Sequence, residues 1–107
     1  MTDNQPTVSD AWQAFTREAP KHAEAWMQAA EALAQATTLD PKTRALAYLA
    51  VLAALRLTSG VPFHTGLAKR AGASREEVIS AILIGLPAAG SGVTQSLPPA
   101  LAAYAAA

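Results

Sequence analysis

From Ala45 to Leu55 every residue is apolar or aromatic, and this run constrains the chain more than any other stretch. Asp40-Pro41 stands at its head. An aspartate can accept hydrogen bonds from the unpaired N–H groups of a first helical turn, and proline suits that turn because it has no N–H to leave unpaired. Beyond Lys42-Thr43-Arg44 the helix is apolar all round, the pattern of a helix buried on every side. Many of its residues are alanine, which lets neighbouring backbones approach closely. A polar break at Arg56–Gly60 follows, and Pro62 can open the next helix. There His64, Leu67, Ala68 and Ala71 share one face, with Thr65, Lys69 and Arg70 directed elsewhere. Gly72 suits a left-handed residue just past the helix end.

The flanks read as cover for this pair. Met1 to Val8 is a polar, disordered tail, and residues 9–107 form a single helical domain. Ser9 or Asp10 can cap a first helix with Trp12, Phe15 and Ala19 on one side, and Pro20 ends it while opening the next. From Lys21 to Thr37 the pattern is amphipathic. Lys21, Glu24, Gln28, Glu31 and Gln35 line one face, and Trp26, Ala29, Ala30, Leu33 and Ala36 the other. Trp26 reads as a core or interface anchor. Ser74-Arg75-Glu76-Glu77 is a capping box, serine followed three residues later by glutamate. The helix it opens should bury Val78, Ile79, Ile82, Leu83 and Leu86 and stop before Pro87. After a glycine-rich turn at Gly90–Gly92, Pro99 should start a last helix that frays at Ala105–Ala107. No segment alternates with the period of a strand. The expected class is all-α, a bundle of about six helices.

Charge and cysteine narrow the function. Only 15% of the 107 residues are charged, against about 25% in typical domains. So little charge on so small a domain implies that part of its surface is covered by another copy, since homo-oligomer interfaces resemble a core cut in half. Eight basic and eight acidic residues cancel, with no run of either sign to attract nucleic acid or anionic lipid. The apolar run falls short of the roughly 20 residues that span a bilayer. The first residues lack the pattern of a signal peptide, so the cytoplasm is the expected location. With no cysteine, disulfides, thiolate nucleophiles and dithiol cycles within the chain are excluded. Two histidines, His22 and His64, are too few for a histidine-rich metal site. No cofactor is expected.

The order of these signals resembles the carboxymuconolactone decarboxylase-like family, which includes the alkylhydroperoxidase D-like proteins. The matching pieces are Leu39-Asp40-Pro41-Lys42-Thr43-Arg44, the alanine-rich helix, His64, Ala71-Gly72-Ala73-Ser74-Arg75-Glu76-Glu77-Val78 and the Gly90-Ser91-Gly92 turn, with Ala23–Ala36 as the lead-in helix. The resemblance implies the family's helical fold and a trimeric or hexameric homo-oligomer. Redox members of that family carry Cys-x-x-Cys-x-x-x-His with a glutamate on the preceding helix. Counted back from His64, the cysteine positions here hold Gly60 and Leu57, and the glutamate position holds Ala45. Peroxide reduction needs one thiolate to attack and another to resolve, so that activity is not implied. Decarboxylase-type members move a proton on a lactone acid without cysteine.

On that reading His64 is the candidate catalytic acid or base, because an imidazole titrates near pH ~6.5. Arg56 could hold a carboxylate with its planar fork, and Tyr48 could donate a hydrogen bond into the same pocket, so that a small anionic metabolite is the expected ligand. Each residue also has a plain structural reading: His64 and Tyr48 as packing, Arg56 as the complement of a helix dipole. The chain would then be a catalytically inactive structural or interaction member. A further alternative is a helix-turn-helix over Leu67–Val78, with glycine in the turn and serine opening a recognition helix. Glu76 and Glu77 stand against it, because they would face phosphates or base edges.

Overall fold

The computed structural model describes residues 8–107. The expected tail, Met1 to Val8, lies outside them except for Val8. Seven α-helices follow in order: α1 (Asp10–Glu18), α2 (Pro20–Ala36), α3 (Pro41–Leu55), α4 (Val61–Arg70), α5 (Arg75–Leu83), α6 (Leu86–Ala89) and α7 (Leu97–Ala106). Short 3-10 turns at Thr58–Gly60 and Ser91–Ser96 join them. Among the described residues there is no strand, and no helix is long and apolar enough to cross a membrane.

Local signals place most of the boundaries. Ser9 caps α1 by accepting from the Trp12 N–H at 3.1 Å. Pro20 occupies the first turn of α2 and Pro41 that of α3. Asp40 has the extended backbone of an N-cap, and Arg44 N–H donates to its carbonyl, but its carboxylate makes no capping bond. At Ser74 both halves of the capping box form, Glu77 N–H to Ser74 Oγ and Ser74 N–H to the Glu77 carboxylate. The same carboxylate takes a hydrogen bond from Lys42 Nζ at 3.1 Å, tying the start of α5 to the start of α3. These bonds to the ionised form hold Glu77 below the usual carboxylate range, the Ser74 backbone contributing most. Gly72 has φ +99° after the end of α4, as its position suggested.

The core is α3 wrapped by α4, α5 and α7. Leu49, Leu52 and Ala53 of α3 meet Val61 and Ala68 of α4, Val78 and Ile82 of α5, and Ala100 of α7, with Val93 from the second 3-10 turn. Ala53, Ala68 and Ala100 are fully buried, so small side chains sit where helices approach most closely. Three hydrogen bonds then fasten α7 to the bundle. The Tyr104 hydroxyl donates to the Ala73 carbonyl at 2.7 Å, and Lys69 Nζ donates to the Tyr104 and Ala107 carbonyls while lying 4.6 Å from the Tyr104 ring centre. α7 runs through Ala106, and the Lys69 ammonium complements the carbonyl end of the helix.

Several expectations change. α3 is not buried on every side; Tyr48, Val51 and Leu55 face outward from this chain. Nor does α2 bury its apolar face, since Trp26 is 57% and Leu33 67% exposed and only Ala23 is buried. α1 and α2 form a hairpin that leans on the rest of the bundle without entering the core. Thr65, expected to point away, is fully buried on the inner face of α4. α5 stops before Pro87 as expected, but already at Leu83, so Leu86 falls outside it, exposed at the start of α6 with Pro87 next to it, and α7 starts two residues before Pro99. These shifts share a cause. An apolar pattern shows that a face must be covered, but not by which element.

Candidate functional site

The α1–α2 hairpin and the α3–α4 corner enclose a groove of about 500 Å³. Val8, Ser9 and Trp12 line it from the start of the described chain, and Trp26, Met27 and Ala30 from α2. Tyr48 comes from α3, Ser59 and Gly60 from the turn, and Phe63 and His64 from the first turns of α4. The turn itself positions the last pair. Gly60 N–H donates to the Leu57 carbonyl, closing the 3-10 turn, and Val61 and Pro62 then start α4.

His64 is half-buried against two rings. Its centroid is 4.4 Å from that of Tyr48, tilted by 47°, and 5.2 Å from that of Phe63 in an edge-on arrangement. Among the described residues neither imidazole nitrogen has a hydrogen-bond partner, and no aspartate or glutamate lines the groove. Burial lowers the pKa of His64 below its ordinary 6.5, because removing water disfavours the imidazolium. The ring is therefore neutral at pH 7, one nitrogen donating and the other accepting. It can take a proton, but its conjugate acid is poorly solvated, and no carboxylate orients it.

The depressed pKa gives a stability prediction with a definite sign. Above pH 6.5 both folded and unfolded chains hold a neutral His64, and the folded state keeps its full stability. As pH falls below 6.5 the unfolded chain takes up the proton first, and stability is lost until the pH has passed the lower folded pKa. In urea titrations across this window the wild type should lose more stability than His64→Asn. Parallel losses in the two proteins would show that His64 contributes nothing to the acid side.

The three candidate residues part company. Tyr48 and His64 meet ring to ring, whereas Arg56 is not on the groove wall. It closes α3 in a left-handed conformation, φ 60°, and its guanidinium lies against Gly92, where an added Cβ would collide with it. A non-glycine residue costs roughly 1–2 kcal/mol in that conformation, so Arg56→Gly should raise the unfolding free energy by about 1 kcal/mol. A loss of stability in denaturant titration would mean that packing on Gly92 outweighs the backbone cost. Leu57 and Gly60 sit at the turn without any sulfur between them, and a Cβ on Gly60 would rest 3.5 Å from the Leu52 methyls.

Sequence reading missed Trp12, Phe63 and Met27 as groove residues. The signal available was the aromatic count: only six aromatic residues are present in the chain, and four of them, Trp12, Trp26, Tyr48 and Phe63, converge here. No group of three or more His, Asp or Glu side chains capable of holding a metal occurs among the described residues. The helix-turn-helix reading gains nothing. Val78 and Ile82 bury one face of α5 in the core, and Glu76 is exposed at its start.

A family model described as the carboxymuconolactone decarboxylase family matches residues 20–106. No curated protein and no solved structure matches the chain.

Proposed function

Because the chain belongs to the carboxymuconolactone decarboxylase family, we propose that it is a thiol-independent member whose groove binds or transforms a small molecule beside His64. The observation that carries this reading is the Tyr48–His64 pair, 4.4 Å apart on the wall of a groove, instead of a histidine sealed among aliphatic side chains. A neutral imidazole that reaches the groove can accept a proton from an acidic C–H or O–H group and return it to a neighbouring atom, the step that decarboxylation and isomerisation of lactones share. Tyr48 packs against the ring and limits its rotation. The metabolite need not be anionic, since among the described residues no cation, Arg56 included, lines the groove.

Deuterium wash-in tests the role. Wild type and His64→Ala are incubated in heavy water with a panel of lactones and ketones, and exchange of the acidic C–H is followed by NMR. Removing a general base should slow exchange by about 10²–10⁴-fold. Equal rates on every compound exchanged would end the catalytic role.

The molecule is further proposed to work as a homo-oligomer, a trimer or hexamer. Leu33, Leu55 and Ile84 are all more than half exposed in the single chain, apolar surface that a second copy would cover. Sedimentation at micromolar concentration should give about 33 or 66 kDa, three or six times the 11.0 kDa chain. An 11.0 kDa species would refute the assembly.

A further inference from the structure

We propose that the groove selects a neutral, flat aromatic molecule bearing one hydroxyl or keto oxygen, held ring against ring with that oxygen at His64; this rests on the groove being the functional site. Four of the chain's six aromatic residues line it, together with the flexible thioether of Met27. Trp26 and Met27 are 57% and 48% exposed, and a ligand's hydrocarbon ring would cover that apolar surface. Offset or edge-on ring pairs add attraction beyond the area they bury. A space of about 500 Å³ lies within the usual range for small-molecule sites and suits a fused bicyclic ring.

Charge decides the class. Among the described residues no lysine, arginine, aspartate or glutamate lines the groove, so a carboxylate or phosphate entering it would lose water without gaining a counterion from them, a costly exchange. An organic cation could rest on the aromatic faces, but it would find no carboxylate among the described residues. A hydroxyl or keto group, by contrast, finds an imidazole between the Tyr48 and Phe63 rings that can both donate and accept one hydrogen bond. Those features together, aromatic walls and uncharged hydrogen-bonding groups, the His64 imidazole with the Ser59 and Tyr48 hydroxyls, match a phenol-like or quinone-like compound better than an acid.

A matched trio tests this: naphthol, naphthoate and naphthylmethylammonium share one ring system and differ in charge. Each is titrated at pH 7 into the full chain, followed by calorimetry and by the indole N–H signals in NMR. The chain has two tryptophans and both face the groove, so each signal reports occupancy. Naphthol should shift both signals and bind at least about ten-fold more tightly than either charged analogue. Trp26→Ala, which removes an exposed side chain and leaves the core intact, should weaken naphthol at least about ten-fold. His64→Phe should narrow the advantage of naphthol over plain naphthalene. Tighter binding of naphthoate or of the ammonium would overturn the neutral preference while leaving the site in place. Binding by none of the three, with indole signals that instead depend on protein concentration, would show a second copy seated in the groove and overturn both this proposal and the reading beneath it.

Discussion

Truncating Leu49 to alanine should lower the unfolding free energy by about 2–5 kcal/mol, the cost of lost apolar burial plus the cavity left behind. Leu49 is fully buried at the middle of α3, in the cluster that joins α3 to α4, α5 and α7. On a chain of this size each kcal/mol moves the melting temperature by about 4–8 °C, so the variant should melt far below the wild type or fail to accumulate. Leu55 supplies the internal comparison. It is the same residue type on the same helix, but 62% exposed, and Leu55→Ala should leave the stability of the single chain almost unchanged. Should Leu55 matter in an assembly, its loss would appear as dissociation in sedimentation and not as unfolding at low concentration. Equal melting-temperature losses in both variants would contradict the orientation of α3.

Gly90→Ala is the second large expected effect, about 1–3 kcal/mol. Gly90 has φ 83° and ψ −175°, a combination that residues with a side chain essentially do not adopt. Nothing lies within 4 Å of an added Cβ, so the cost is one of backbone conformation and not of crowding. It would propagate, because Gly90 ends α6 and leads into the Ser91–Ser96 turn that delivers Val93 to the core. Gly72, at φ 99°, differs in an instructive way. It follows a helix end, where asparagine is the common substitute for glycine, so Gly72→Asn should be milder than Gly72→Ala. At Gly90 asparagine should bring no such relief. Chemical denaturation of the four variants separates the two backbone states. Rescue by asparagine at Gly90 would mean that its conformation is the ordinary left-handed one.

How far the fold could be read in advance depended on the reach of each signal. Ser9, Pro20, Pro41, Gly72 and the Ser74–Glu77 box act on backbone groups within four residues of themselves, and each marks a boundary within a residue or two of where it stands in the structure. Where a signal needed a partner far along the chain, it failed. Thr65 looked like an outward residue, yet α4 turns it into the core, and its hydroxyl is buried without a hydrogen-bond partner among the described residues, as is that of Ser96. Both are substantial costs, and neither is visible as a pattern of hydrophobicity. Lys69 looked like an ordinary surface cation; it holds the last carbonyls of α7 from 35 and 38 residues away.

The candidate site divides in the same way. His64 and Tyr48 could be paired on paper because both fall in the helical stretch that the family resemblance aligns, and they do meet. Arg56 was read as their companion because its planar fork could hold a carboxylate. At the end of α3, however, the backbone passes into a left-handed conformation and carries the guanidinium to Gly92. Trp12 and Trp26 could not be assigned to the site at all, since that depends on how the hairpin leans on the bundle.

By itself the sequence determined the helical class, the caps and breaks, the family and the exclusion of thiol chemistry, because these follow from residue type and short-range geometry. Only the tertiary structure decided that the long apolar helix is covered on one side and open on the other. It also brought four aromatic rings to His64 and took the nearest cation away. Those outcomes depend on the angles at which helices pack, which arise from contacts between residues tens of positions apart, and no local pattern encodes them.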